Sequence, residues 1–313
     1  MCFAGDSLKK AQLANTLSGI VTVLNTPFTG SNEIDEPGLR ANVRRALAAG
    51  VSGFLVPAMA GEVSRLSATE RTELVKIVLD ESAGTVGVVG GASASTQLER
   101  IELAGELVAL GCSAVLVALP YQDDVSYSRQ LRQLAHEIDA PLMIQDWDPH
   151  GYGAPTELLA KLFEELPSFA SVKIEVVPAG PKYTEILNAT KGRIHVAGGW
   201  AVGQMIEGLD RGVHSFMPTG MHEIYCEIVR RYRSGYRAQA VTLFRRLLPI
   251  LAFSNQHLDI SIRFFKRLLW REGIYATANV REPLLEFDEI HLATADTLIE
   301  EAIAITGELQ ERR

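Results

Sequence analysis

One lysine lies inside a short apolar segment where it could perform covalent chemistry. Lys173 stands in Phe169-Ala-Ser-Val-Lys-Ile-Glu175, which reads as a buried strand. Burial disfavours a charged ammonium, so a fraction of such an amine is neutral and nucleophilic near neutral pH. A neutral amine can attack a ketone and form a Schiff base. The alternative is that the methylene groups of Lys173 pack along the core while its ammonium group lies in water or pairs with Glu175.

A carboxylate follows this lysine two residues later. Alternate residues of a strand point to the same side, so Glu175 is expected beside Lys173. There the carboxylate could accept the proton of the amine or hold a charged iminium. It could also keep Lys173 permanently protonated and inert. The pair is therefore compatible with an enzyme and with a protein that only binds a keto acid or sugar acid.

The segments around this strand alternate between apolar runs and amphipathic helical stretches. The strand-like runs are 19–24, 51–57, 85–90, 114–118, 141–145, 169–174, 193–197 and 213–217. Apolar runs separated by amphipathic helices indicate parallel strands buried on both faces. Eight units that repeat every ~30 residues can close a barrel. The sequence therefore predicts an α/β fold, a (β/α)8 TIM barrel.

Three regions follow from this pattern. We expect a short N-terminal helical extension over 1–16, the barrel over 17–235 and a C-terminal helical region over 236–313. An open doubly wound sheet would need a glycine-rich phosphate fingerprint after the first strand, and Thr26-Pro-Phe-Thr-Gly is not one. The sequence leaves open whether the C-terminal helices pack on the barrel or form a contact between subunits.

Composition limits the classes of partner. The chain has 313 residues, of which 47% are hydrophobic, and a formal net charge of −8, which argues against nucleic acid and anionic membranes as ligands. The three cysteines lack metal-ligand spacing and are expected to be reduced thiols. No segment has the pattern of a leader or a bilayer span, so we expect a cytoplasmic protein.

In a closed βα barrel the chemistry lies at the C-terminal ends of the strands. The residues that come just after the apolar runs include Thr26, Pro27, Phe28, Met59, Ala60, Gly61, Glu62, Pro120, Tyr121, Gln145, Asp146, Trp147, Asp148, His150, Lys173, Glu175, Gly198, Gly199, Met217 and Pro218. Lys173 thus lies among acids, amides and glycines. These neighbouring residue types favour the catalytic interpretation of the lysine.

Several of these residues belong to short motifs that occur in a fixed order. The motifs are Thr26-Pro-Phe, Gly61-Glu62-Val-Ser-Arg-Leu-Ser67-Ala-Thr-Glu70-Arg71, Pro120-Tyr121, Val-Lys173-Ile-Glu, Gly198-Gly199 and Val280-Arg281-Glu-Pro-Leu. Over residues 17–305 the chain resembles the dihydrodipicolinate synthase / N-acetylneuraminate lyase family. The resemblance implies a TIM barrel with a C-terminal helical region, a homo-oligomer (dimer or tetramer), and a lysine that forms a Schiff base with pyruvate or another 2-oxo acid. It implies that Lys173 is this lysine.

The loop after the second strand is expected to hold the substrate carboxylate. Ser67-Ala-Thr-Glu70 is a capping box, and Gly61 allows a tight turn ahead of that helix. Such turns direct amide N–H groups towards an anion. The family has two hydroxyl residues where this chain has Met59 and Ala60, so only backbone donors could remain. Glu62 could equally be a structural acid that ties loops together.

The chain departs from the family after the fifth strand. The family typically has a proton-relaying tyrosine there, and this chain has Gln145. Gln122 replaces the second aromatic residue of the family's Pro-Tyr-Tyr/Phe, and no arginine follows in the loop where the synthase would hold its second substrate. These changes argue against dihydrodipicolinate synthesis, although a genuine 4-hydroxy-tetrahydrodipicolinate synthase remains an alternative.

A Schiff-base reaction still needs a group that moves protons. Asp146 directly follows the fifth strand and is the favoured candidate, with a turn-capping aspartate as the alternative interpretation. We therefore expect the catalytic groups to be Lys173, Asp146, Glu175 and Tyr121, and the substrate-binding groups to be Met59, Ala60, Gly61, Gln145, His150, Gly198, Gly199 and Met217.

The sequence thus predicts a lyase that acts on pyruvate or a 2-keto-3-deoxy acid by aldol cleavage, condensation or dehydration. No metal and no cofactor are expected, because the acids are dispersed over separate loops and the Schiff base itself supplies the electrophile. A non-catalytic protein that binds a keto acid or sugar acid is the remaining alternative. The acceptor and the choice between aldolase and dehydratase stay open.

Overall fold

The structure is a computed structural model that describes residue 13 and residues 16–311, without the side chain of residue 201. The predicted N-terminal helical extension over 1–16 therefore lies largely outside the described residues. Within the described part of the chain, no helix is long and apolar enough to cross a membrane.

Eight strands join in sequence order as a closed barrel. The strands are β1 (Gly19–Val23), β2 (Gly53–Val56), β3 (Gly87–Gly91), β4 (Ala114–Ala118), β5 (Leu142–Asp148), β6 (Phe169–Val176), β7 (His195–Gly198) and β8 (Ser215–Phe216). The strand pairs β3 to β8 and the closing pair β1 with β8 are parallel. This architecture confirms the predicted TIM barrel.

A helix follows each strand. These helices are α1 (Glu36–Ala49), α2 (Ala68–Ser82), α3 (Gln97–Leu110), α4 (Asp124–Glu137), α5 (Thr156–Glu165), α6 (Ala179–Ala189), α7 (Met205–Asp210) and α8 (His222–Arg233). The chain then continues as α9 (Arg237–Ser254), α10 (Leu258–Arg271) and α11 (Glu289–Gln310), which lie within the helical region predicted over 236–313.

The contacts of the chain divide it into two compact units. The first unit contains Val86–Met217 and the described residues up to Val21, and the second contains Thr22–Thr85 and Pro218–Arg313. The predicted boundaries at residues 16 and 235 stay a prediction.

In the first unit, β5 and β6 are the longest strands, and all eight residues of β6 are buried. Their register pairs Gln145 with Lys173 and Trp147 with Glu175. Because paired residues of neighbouring strands share a face and successive residues alternate, these four side chains belong to one face of the sheet. Asp146 belongs to the opposite face.

In the second unit, the start of α2 confirms the predicted capping box. The Ser67 hydroxyl accepts a hydrogen bond from the Glu70 backbone N–H, and the Glu70 carboxylate accepts one from the Ser67 N–H. Ahead of this helix, Met59–Gly61 and Val63–Arg65 form two short 3-10 helices. Glu62 joins them in the left-handed backbone region at φ 59°.

Candidate active site

Lys173 extends from β6 and is almost fully buried, with 6% of its surface exposed. Its Nζ atom lies 3.1 Å from Oε1 of Glu175. The structure thus brings together the amine and the carboxylate that the sequence paired on one face of a strand.

The Glu175 carboxylate is held from several directions. Its Oε2 atom accepts a hydrogen bond from Nε2 of Gln145, and its Oε1 atom accepts one from the Trp200 backbone N–H at 2.8 Å. A Cβ atom at Gly199 would lie 2.0 Å from Oε1, so only glycine leaves room for the carboxylate. Both oxygens are therefore oriented, and Oε1 faces the amine of Lys173.

Gly198 and Met217 have packing roles in the same unit. A Cβ atom at Gly198 would lie 2.9 Å from both the Phe216 ring and the Tyr183 hydroxyl. The backbone N–H of Met217 donates to the Gly198 carbonyl at 2.8 Å, and the Met217 side chain is buried. The close contacts explain the glycine at position 198, and the predicted substrate contacts of Gly198 and Met217 stay predictions.

Asp146 lies on the face of the sheet opposite Lys173, and its carboxylate binds other groups. Its Oδ2 atom is 2.5 Å from Nζ of Lys182, and its Oδ1 atom accepts a hydrogen bond from the Ala154 N–H at 2.9 Å. Lys182 is fully buried and also donates to the carbonyls of Tyr152 and Ala154. Burial raises the pKa of Asp146, while the nearby ammonium opposes that rise.

This geometry argues for a structural role of Asp146 and against the proton transfer that the sequence predicted. Successive strand residues alternate between faces, and the register of β5 against β6 gives the position beside Lys173 to Gln145.

In the part of the chain that the structure describes, the contacts of Tyr121 and of the His150 backbone are with residues close to them in sequence. The Tyr121 hydroxyl donates to Oδ1 of Asp124 at 2.7 Å, and its ring packs edge-on against Tyr127. The His150 side chain is exposed, and its backbone N–H donates to Oδ1 of Asp148. The catalytic role predicted for Tyr121 and the substrate contact predicted for His150 stay predictions.

The predicted carboxylate-binding loop lies in the second unit. Asn25 and Thr26 each donate a side-chain hydrogen bond of 2.6 Å, to the carbonyls of Ala60 and Gly61 respectively. The Gly61 N–H is used within the loop, since it donates to the Ala58 carbonyl. Of the backbone N–H groups predicted to bind an anion, those of Met59 and Ala60 therefore remain as candidates. Their binding of a carboxylate stays a prediction.

Glu62 forms buried contacts with other loops and helices, as expected for the structural role that the sequence left open. Its Oε1 atom is 2.5 Å from Nζ of Lys266, and its Oε2 atom accepts a hydrogen bond from the Arg281 N–H at 2.7 Å. Both side chains of the ion pair are fully buried, and Nζ of Lys266 lies 4.1 Å from the centroid of the Phe28 ring. Burial lowers the pKa of Lys266 to about 8.

Lys182 and Lys266 are the residues that sequence reasoning missed. Each occupies a helix position whose neighbours one turn away are buried, as Ile186 is for Lys182 and Ile262 is for Lys266. A lysine on the apolar face of a helix is the sequence feature from which both residues could have been found. In the part of the chain that the structure describes, no group of three or more histidine, cysteine or acidic side chains could hold a metal ion.

Comparison with known proteins assigns the family. The model of the dihydrodipicolinate synthetase family matches residues 16–302. The 4-hydroxy-tetrahydrodipicolinate synthase of Methanopyrus kandleri is 33% identical over 162 residues, which cover 50% of this chain and 54% of that protein. The protein of the same name from Chloroherpeton thalassium is 29% identical over 187 residues, which cover 58% of this chain and 62% of the relative. The chain thus spans little more than half the length of these relatives.

Solved structures show the same fold at lower identity. Dihydrodipicolinate synthase from Oceanobacillus iheyensis superposes with a TM-score of 0.85 at 19% identity, covering 94% of this chain and 99% of that one. The enzyme from Rhodopseudomonas palustris gives a TM-score of 0.83 at 20% identity, covering 91% of this chain and 97% of that one. With the family model matched over most of its length, this chain belongs to the dihydrodipicolinate synthetase family.

Proposed function

We propose that this protein is a lyase that forms a Schiff base between Lys173 and pyruvate or a related 2-oxo acid. The observation that carries the proposal is the buried Lys173 amine within β6, with an oriented carboxylate 3.1 Å away. Membership of a family whose curated relatives are named as synthases supports it. An amine in such a place can act as a nucleophile once it has lost its proton.

Glu175 is the group that moves protons in this scheme. It takes a proton from the Lys173 ammonium, and the neutral amine then attacks C2 of the keto acid. The carbinolamine that results loses its hydroxyl as water with the proton that Glu175 carries. The carboxylate, now free again, removes a proton from C3 and converts the iminium to an enamine.

Gln145 supports this role without exchanging protons itself. A glutamine amide does not ionise near neutral pH, so it cannot replace the tyrosine that the family resemblance places there. It donates instead to Glu175 Oε2 and so fixes the orientation of the carboxylate beside the amine. We infer that the proton relay of this chain has moved from strand β5 to strand β6.

The same ion pair supports a second candidate function. A carboxylate at 3.1 Å also stabilises the charged ammonium, which favours a protein that binds a keto acid without reacting with it. The names of the relatives favour 4-hydroxy-tetrahydrodipicolinate synthase as a further alternative, which the changes at Gln122 and Gln145 disfavour.

Exchange of the pyruvate methyl protons in deuterated water tests the proposal without knowledge of the acceptor. Proton NMR should show loss of the methyl signal with wild type and no loss with Lys173→Ala. Glu175→Gln should slow the exchange by roughly 10²- to 10⁴-fold, the usual contribution of a general base. Wild type that exchanges neither pyruvate nor longer 2-oxo acids would reject the lyase and favour the binding protein.

A further inference from the structure

Four large apolar side chains are exposed at the ends of four successive strands of the first unit. Tyr121 follows β4, Trp147 lies near the end of β5, Val177 follows β6 and Trp200 follows β7. Their exposed fractions are 37%, 52%, 63% and 39% in that order. Contiguous exposed apolar surface is uncommon on soluble proteins and marks sites of interaction.

Two of these residues lie next to the residue that bears the proposed catalytic carboxylate. Trp147 is the register partner of Glu175 on the neighbouring strand, so both belong to the same face of the sheet. The backbone N–H of Trp200 donates to Oε1 of Glu175 at 2.8 Å. A substrate attached to Lys173 would therefore lie close to the backbone positions of Trp147 and Trp200.

The segments that follow β3 to β7 contain no lysine and no arginine. They are residues 92–96, 119–123, 149–155, 177–178 and 199–204. Lys182, on the helix after β6, is fully buried and paired with Asp146. An anionic second substrate would find no lysine or arginine in these segments to pair with.

We propose that the second substrate is an uncharged aldehyde with an aromatic or similarly apolar body that packs against Trp147 and Trp200. This inference rests on the proposed function, because Lys173 must first form the enamine. The enamine C3 attacks the aldehyde carbon, a C–C bond forms, and the carbonyl oxygen takes the proton that Glu175 had removed from C3. Water then hydrolyses the iminium and releases a 4-hydroxy-2-oxo acid with its aryl group on C4, which restores the Lys173 amine.

The physical basis is desolvation of flat apolar surfaces. Indole rings offer large planar contact areas, and aromatic pairs add to the free energy gained from burial alone. A carboxylate-bearing aldehyde would instead lose hydration without gaining an ion pair. The inference thus predicts discrimination by the acceptor's charge and apolar area.

The test compares benzaldehyde with the anionic aldehyde glyoxylate, each supplied with pyruvate to the full-length protein. Product formation followed by chromatography should give a kcat/KM for benzaldehyde at least about tenfold above that for glyoxylate, a difference of roughly 1.4 kcal/mol. Trp147→Ala and Trp200→Ala should each raise the KM for benzaldehyde about tenfold and change that for glyoxylate less. Trp270→Ala is the matched control, since Trp270 is 39% exposed on α10 of the second unit.

Each other outcome overturns the inference. Equal kcat/KM values for glyoxylate and benzaldehyde would rule out the proposed apolar second substrate. Tryptophan variants that leave the KM for benzaldehyde unchanged would rule it out as well. Neither result would contradict the Schiff base at Lys173. Pyruvate exchange without turnover of either aldehyde would likewise rule out that second substrate. A change in sedimentation behaviour caused by Trp147→Ala would assign the apolar side chains to a contact between copies of the chain. Absence of pyruvate exchange would instead reject the proposed function itself.

Discussion

At the scale of single residues, the carboxylate of Glu175 is held beside the Lys173 amine. Both of its oxygens accept hydrogen bonds, and one of them lies 3.1 Å from the Lys173 amine. The pairing of these two residues was predictable, since their spacing on a strand gives them a common face. The placement of Asp146 on the opposite face was not predictable, because the register of β5 against β6 decides whether position 145 or 146 faces the lysine, and register depends on contacts between strands.

Gly199→Ala tests whether the orientation of Glu175 matters for proton transfer. The added Cβ would lie 2.0 Å from Oε1 and must displace the carboxylate from the amine. We expect pyruvate proton exchange to slow at least about tenfold, as happens when a general base leaves hydrogen-bond reach. Gly203→Ala is the control, because its Cβ would have nothing within 4 Å. Unchanged exchange by the Gly199→Ala variant would show that the observed carboxylate position is not used.

At the scale of elements, the ion pair of Asp146 and Lys182 fastens the connection between β5 and α5 to helix α6. The Asp146 carboxylate holds the Ala154 N–H, and the Lys182 ammonium holds two carbonyls of the same connection. The approximate positions of the strands followed from apolar periodicity. The buried pairs did not, because their partners come from distant parts of the chain, as Glu62 and Lys266 do across 204 residues.

Asp146→Asn should destabilise the protein without removing its chemistry. The substitution leaves the ammonium of Lys182 buried without its counter-charge, which costs roughly 3–5 kcal/mol. Thermal unfolding should show a clear drop in Tm, whereas pyruvate exchange measured well below that temperature should stay within about threefold of wild type.

A double variant separates the ion pair from other effects of this change. Asp146→Leu combined with Lys182→Met should recover part of the lost stability, because neither partner is then left as an isolated buried charge. Loss of pyruvate proton exchange in a folded Asp146→Asn protein would support the proton-relay role that the sequence predicted for Asp146.

At the scale of the whole molecule, each unit contains a fully buried histidine that resists protonation. Burial lowers the pKa of His195 to about 3 in the first unit and that of His222 to about 4 in the second. His222 bonds Thr22 and Asn42 through its two ring nitrogens, and its surroundings include Glu223, which raises the pKa, and Arg45, which lowers it.

The sign of the resulting pH dependence follows from these shifts. The unfolded chain binds protons near pH 6.5, well above the pKa of either buried ring. Stability is therefore fully present above pH ~6.5 and is lost as the pH falls towards 4, by on the order of 3 kcal/mol for His222.

Denaturant unfolding of a His222→Gln variant between pH 7 and pH 4 should give a flatter stability profile than wild type, over roughly the pH window in which an unfolded histidine titrates. His257→Gln serves as the control, because the His257 side chain is 54% exposed. A profile for His222→Gln that parallels wild type would show that His222 contributes nothing to acid sensitivity.

The most direct test of the account is the mass of the protein after incubation with pyruvate and borohydride, followed by peptide mapping. We predict one reduced pyruvyl adduct, located on the peptide that contains Lys173, and no adduct on Lys173→Ala. The competing amine is that of Lys266, because burial lowers its pKa to about 8 and so leaves a larger neutral fraction than an ordinary lysine has. An adduct on Lys266, or one that persists in Lys173→Ala, would contradict the assignment of Lys173 as the Schiff-base lysine.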